Sequence, residues 1–166
     1  MRRPYSIPVN KCIYEMLRYP SQNGGFEKYF IESIDRDSEV ERFCKIDEYK
    51  HSFLRLRYIN EEGMPSFYHP DFLVKINDSI YLVETKGQNQ IYHLDVKRKH
   101  RAAYNWCNRI NKLSLSDRMN AEWKYVLIGQ SIFNAWMSKG ASIKDILDYA
   151  AVKGFDVEDS KIFSNY

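Results

Sequence analysis

The sequence predicts an α/β domain built on a mixed β-sheet flanked by helices. Three observations carry that expectation. A period of two opens near Tyr49, where apolar and charged residues alternate. Two further apolar runs, FYHPDFLVKI and IYLVETK, meet at a turn on Asn77-Asp78. Apolar residues spaced three and four apart precede and follow these runs, as helices require. Antiparallel hairpins followed by one helical crossover to a last strand imply a mixed sheet. At 166 residues, 44% hydrophobic and 15% aromatic, the chain can bury a sizeable core as one domain.

Residues 1–22, with Pro4, Pro8 and Pro20, read as an irregular N-terminal segment, and residues 23–166 as the domain. In FEKYFIESI, Phe26, Phe30 and Ile34 recur every four residues and predict a short helix. DRDSEVERFCKI predicts a second helix: Ser38 and Glu41 have capping-box spacing, and Val40, Phe43 and Cys44 share a helical face. YKHSFLRLRYI predicts a first strand, Leu54, Leu56 and Tyr58 alternating with Arg55 and Arg57. After the loop NEEGMPS come the second and third strands, FYHPDFLVKI and IYLVETK. The third is apolar on both faces apart from its end, which places it inside the sheet. A long helix from about Asp95 to Asn111 puts Lys99, Ala103, Trp106 and Ile110 on one face. EWKYVLIG is a fourth strand. SIKDILDYAAVKG is a last helix, capped by Ser142 and Asp145 and stopped at Gly154.

Composition excludes some classes. No run approaches the roughly 18 apolar residues of a membrane span. Pro4, Pro8, Asn10 and Lys11 interrupt any signal-peptide core, so a cytoplasmic location is expected. Cys12, Cys44 and Cys107 form no CxxC pair, which predicts reduced thiols rather than a disulfide framework or a zinc site. A net charge of +3 permits nucleic-acid binding without demanding it. No GxxxxGK[ST] loop occurs, so ATP hydrolysis by that route is excluded.

The chemistry is concentrated between Tyr68 and Gly87. Strand alternation puts Leu82, Glu84 and Lys86 on one face and Val83 and Thr85 on the other. A hairpin centred between Asn77 and Asp78 sets Asp71 beside Glu84. Pro70, which cannot donate to a ladder, marks the strand entrance where Asp71 turns into a cleft. Two close carboxylates repel each other, and a divalent cation between them removes that penalty. Such an ion can polarise a phosphate and activate water. A lysine two residues along the face can hold or deprotonate the attacking water, or stabilise charge on the phosphate. The Thr85 carbonyl is a further oxygen ligand.

PD at 70–71 followed by ETK at 84–86 resembles the PD-(D/E)xK nuclease motif. Its surroundings, including GMPSFYHPDFLVK, IYLVETKG, VKRKHRAAYNWCNRIN and EWKYVLIG, resemble the C-terminal endonuclease domain of type III restriction enzyme Res subunits and related helicase-nucleases. The similarity runs from about Asn23 to Ala150. It implies a restriction-endonuclease-like αβββαβ core and DNA cleavage with Mg²⁺, for which Mn²⁺ can substitute. Asp71 and Glu84 would be metal ligands and Lys86 the catalytic lysine. The additional helix glutamate of such nucleases falls at Glu41, with Glu39 and Glu27 as alternatives. Implied partners are DNA, a helicase-type motor in the same chain or in complex, a methyltransferase subunit and a dimer mate. The chain would be either a fragment of a longer protein or a stand-alone nuclease.

Blander readings stand beside these. Asp71, Glu84 and Lys86 could be an interior ion pair, and Glu41 a helix cap. The run Lys97–Arg101 could be a solvated helix face. Leaving directly after the third strand, that helix should border the cleft, with Lys99 pointing inward and Lys97 and Gln88 near substrate. His51 and His69 read as hydrogen-bonded structural groups, and the aromatic residues as core. The rival functions are a silent nucleic-acid-binding or docking module with a nuclease fold, and an RNA or structure-specific nuclease.

Overall fold

The computed structural model describes residues 5–20, 25–87 and 94–162, with side chains as far as Val152. In chain order the elements are β1 (Ser6–Pro8), β2 (Met16–Arg18), α1 (Gly25–Arg36), β3 (Val40–Lys45), β4 (Leu56–Ile59), β5 (Pro65–Tyr68), β6 (Phe72–Ile76), β7 (Ser79–Lys86), α2 (Leu94–Asn111), β8 (Glu122–Gly129), α3 (Gln130–Ser138) and α4 (Ile143–Ile162). The central sheet has the order β3-β6-β7-β8. Its first two pairings are antiparallel, and β7 pairs with β8 in parallel through the α2 crossover. It is therefore a mixed sheet flanked by helices, with the apolar third run in its interior. Among the described residues no helix is long and apolar enough to cross a membrane.

Alternation along β6 and β7 divides the core between the two sheet faces. Phe72, Val74, Ile76, Tyr81 and Val83 pack with α1, α3 and α4, while Leu82 packs with α2 and the β4–β5 hairpin. Phe26, Phe30 and Ile34 are buried on α1 at the expected spacing of four. Phe30, fully buried, has ring centroids 5.1 Å from Phe72 and 5.4 Å from Phe133. Phe30→Ala empties the joint between two helices and the sheet, and should destabilise by about 3–5 kcal/mol. Thermal unfolding would register this as a fall in Tm on the order of 10 °C.

Several elements differ from the sequence expectation. The second helix, expected from Ser38, is the edge strand β3. Its pairing with β6 slips between Val40 and Arg42, so one extra residue is accommodated there as a β-bulge. The bulge lets Val40 and Phe43, three apart, both reach the core, and so imitates a helical period. The first strand is shortened to β4, although Leu54, Leu56 and Tyr58 are buried as expected. It pairs with β5 in a separate two-stranded sheet. The run FYHPDFLVKI is broken into β5 and β6 around His69-Pro70, where proline has no N–H to donate. The N-terminal segment is not irregular throughout: β1 and β2 form an antiparallel hairpin, and Val9 and Leu17 join the core.

On α2 the buried stripe is His100, Ala103 and Cys107, one residue round from the expected face. Helix α3, with Phe133 buried, was not expected. Ser142 and Asp145 do cap α4: the Ser142 hydroxyl donates to Asp145 Oδ2 at 2.9 Å and accepts from the Asp145 amide at 3.2 Å. The helix does not stop at Gly154 but continues to Ile162. A glycine inside a helix costs only about 1 kcal/mol, too little to end one by itself.

Candidate active site

The β6–β7 hairpin has the register that places Asp71 opposite Glu84. Phe72 pairs with Val83 and Ile76 with Ser79, a ladder centred between Asn77 and Asp78. Asn77 takes the left-handed conformation (φ 48°) that a tight reversal needs and asparagine tolerates. Asp71 lies in a bend just before β6, its carbonyl accepting from the Ile46 amide at 2.8 Å. Its Oδ2 accepts two hydrogen bonds at 2.7 Å, from the amide and the hydroxyl of Thr85. Within a strand the N–H and C=O of one residue face the same side. The Thr85 carbonyl is therefore on the Asp71 side of β7, compatible with the role of an extra oxygen ligand.

Glu84 and Lys86 share a face, as alternation requires. The Lys86 ammonium is 2.7 Å from Glu84 Oε1. Glu84 is buried, and its other oxygen, Oε2, has no hydrogen-bond partner among the described residues. Burial, and then the charge of Asp71, raise its pKa from 4.5 to about 7 against the opposing pull of Lys86 and Lys99. Burial acts to discharge Lys86, but Glu84, Asp71 and Glu27 outweigh it and hold the ammonium above its ordinary pKa. Lys86 is thus a firmly protonated donor in this arrangement.

Five elements, β3, α1, β5, β8 and α2, bring further groups toward these residues. Lys45, at the end of β3 and paired with Phe72, forms an ion pair with Glu27 from the first turn of α1 and donates to the Arg18 carbonyl at 2.6 Å. Tyr68 and Tyr125 feel the charge of Glu84, and burial is the main reason that both phenols are held well above their usual pKa. From α2, Lys99 is 3.3 Å from Asp95 and lies over the Tyr58 and Tyr68 rings, and its charge reaches Glu84. Lys99 does point inward, but it is already engaged.

The remaining sequence candidates are placed elsewhere. Glu41 is not on a helix: it sits at the β3 bulge beside the Val40–Ile76 pairing, at the opposite end of the β3–β6 ladder from Asp71, and is ion-paired with Lys75 at 3.4 Å. Glu39 precedes it at that same end. Glu27 is the helix glutamate that the fold brings near Lys86. Lys97 is half-buried on the first turns of α2, and Gln88 lies outside the described residues. The basic run is not a uniform face. His100 is buried against the Tyr125 ring, its pKa lowered to about 4 by burial, and Arg98 donates to the Asn60 carbonyl. His51 is a structural group, accepting from the Asp47 amide at 2.9 Å; His69 Nε2, expected to be hydrogen-bonded, is buried without a hydrogen-bond partner among the described residues.

Sequence reasoning missed Tyr68, Tyr125 and Lys45. The period of two in EWKYVLIG does put Tyr125 on the Leu82 face, given the parallel register Leu82–Tyr125. Lys45 was hidden by the reading of its strand as a helix.

The residues fit a hard divalent cation. Among the described residues no three His, Cys, Asp or Glu side chains gather into a self-sufficient metal site. Asp71 and Glu84 are instead a pair of oxygen donors, one with a buried oxygen that has no partner among the described residues, and the charge of Asp71 raises the cost of ionising Glu84. Mg²⁺ is commonly held by one or two carboxylates, with water and substrate phosphate completing its shell. Comparison with known proteins found no matching family model, curated protein or solved structure.

Proposed function

We propose that this chain is a Mg²⁺-dependent DNA endonuclease domain of the PD-(D/E)xK type. The observation that carries the reading is buried Glu84, with the charge of half-buried Asp71 acting on it and the Lys86 ammonium against it, at the open end of a hairpin. The order α1, β3, β6, β7, α2, β8, with the β4–β5 hairpin inserted, supports it by matching the αβββαβ order the resemblance implies. When bound, a divalent ion supplies charge neutralisation for the pair, polarisation of the phosphate and activation of water.

The chain's residues divide the remaining work. Thr85 fixes the Asp71 carboxylate with two hydrogen bonds to Oδ2, so its orientation is set by the protein itself. Lys86 keeps Glu84 oriented and, being protonated, serves as a donor to the phosphate or to the attacking water rather than as the base. Glu27, held by Lys45, is a further carboxylate beside the site. Lys99 lowers the cost of ionising Glu84. A motor and a modification subunit would select the DNA to be cut.

The test is nicking of supercoiled plasmid with Mg²⁺, Mn²⁺ or chelator. Relaxed product should form only with the cations. Glu27→Gln should lower the rate by roughly 10–100-fold, the loss typical of a supporting group. Glu41→Gln, a surface change, should stay within about twofold of wild type. No cleavage, together with no rise in Tm on adding either cation, would overturn the reading in favour of a docking module. Cleavage of RNA or junctions in preference to plasmid would reassign the substrate.

A further inference from the structure

A second group of reactive side chains lies where the N-terminal segment covers the edge strand β3. The Phe43 amide donates to the Lys11 carbonyl at 3.0 Å, so the chain at 11–12 runs beside the chain at 43–44. This brings Cys12 and Cys44, distant in sequence, to the same spot, where each thiol is the largest influence on the ionisation of the other. Both are only half-buried. Cys44 Sγ is 3.4 Å from the Lys45 carbonyl and 3.9 Å from His51 Nε2. His51 Nδ1 accepts from the Asp47 amide, which leaves the ring proton on Nε2, within 3.1 Å of the Tyr14 hydroxyl. Tyr14, like Cys12, belongs to the N-terminal segment, so two contacts tie that segment to the same spot.

The two thiols are coupled, so that one ionises more readily and the other less. The hydrogen bond from Cys44 holds the Cys12 thiol below its ordinary pKa; burial opposes this, and the amides of Tyr14, Lys45 and Ile13 assist. Cys44 is raised by the same hydrogen bond and by burial. Cys107 is buried in the other core, where burial pushes it up to about 12, and serves as an internal control. A low-pKa, accessible thiol beside a resolving thiol is the arrangement of redox-responsive cysteines.

We infer that Cys12 and Cys44 form a reversible disulfide, made by a peroxide, that fastens the N-terminal hairpin to β3. The Cys12 thiolate attacks the O–O bond and takes one oxygen as sulfenic acid, and the other leaves as hydroxide, protonated to water. The Cys44 sulfur then attacks Cys12, the S–S bond forms, and the sulfenic oxygen leaves as water with the Cys44 proton. The peroxide is reduced by two electrons and the two thiols are oxidised by two. A dithiol reverses the step by exchange. Lys45, next in the chain after Cys44, holds Glu27 and the Arg18 carbonyl, so the closure abuts the candidate active site. The inference does not depend on the nuclease reading.

The test treats the reduced full chain with hydrogen peroxide, removes the excess, and counts thiols after denaturation. The count should fall from three to one and return to three with dithiothreitol. Peptide mapping should find Cys12 joined to Cys44, and the oxidised chain should melt higher, by on the order of 10 °C. In Cys44→Ser the sulfenic acid should persist on Cys12 and be trapped by dimedone. Cys12→Ser should form no intramolecular disulfide at the same dose. An unchanged thiol count or a linked peptide containing Cys107 would overturn the inference. The mapping uses the unaltered chain, so a variant that fails to fold does not blunt the test.

Discussion

Asp71→Asn should leave the fold intact and lower metal-dependent nicking by roughly 10²–10³-fold, the rate equivalent of losing several kcal/mol of charge stabilisation. Asparagine keeps a carbonyl oxygen that can accept both hydrogen bonds from Thr85, so the mouth of the hairpin is preserved. Only the negative charge is removed. Lys86→Met should cost a comparable factor by a different route. It removes the donor 2.7 Å from Glu84 and leaves that carboxylate buried with no cation against it, so the pH at which cleavage appears should move upward. The measurement is the initial rate of supercoiled-plasmid loss against pH, with Tm recorded for each variant. Cleavage that survives Asp71→Asn in a folded protein would remove this site from the reaction.

The parts of the fold that were legible are those in which one short-range rule acts alone. The β6–β7 register follows from a two-residue turn, so a symmetry argument about Asn77-Asp78 sufficed to bring Asp71 to Glu84. The alternation that puts Glu84 and Lys86 on one face is a property of any strand. Phe26, Phe30 and Ile34 predicted α1 because nothing competes with their spacing.

The failures occur where two rules give the same pattern. At β3 the bulge between Val40 and Arg42 gave a strand the apolar spacing of a helix. That single misreading hid Lys45 and carried Glu41 to a helix it does not occupy, while Glu27 awaited the real helix. On α2, Lys99 and His100 compete for the inward face. The sequence favoured Lys99, but burial fell to a histidine that stays neutral at ordinary pH. The Cys12–Cys44 contact depends on how the N-terminal segment is laid over β3, a tertiary fact that no local period encodes.

Glu84→Gln should make the metal-free protein more stable at neutral pH while abolishing stabilisation by Mg²⁺. Glu84 has a folded pKa of about 7, raised by burial first and by Asp71 second, above its ordinary 4.5. A raised carboxyl pKa means that the folded state binds the proton more tightly than the unfolded chain. The contribution is therefore complete below about pH 4.5 and is lost as pH rises through about 7. Over that window the loss is about 3 kcal/mol. His100 works in the opposite sense: its folded pKa is lowered to about 4, so its contribution is present above its ordinary 6.5 and lost as pH falls toward 4. The two overlap, so the diagnostic quantity is the difference between wild type and Glu84→Gln at each pH. That difference should be small at pH 4.5 and should grow in favour of the variant up to about pH 8. Saturating Mg²⁺ should restore the wild type through preferential binding to the folded state and leave the variant unmoved. A constant difference across the window would mean that Glu84 is ionised throughout, with Lys86 alone compensating it. In that case the buried pair would have no unmet charge for a cation to satisfy, and the metal reading of the site would fail.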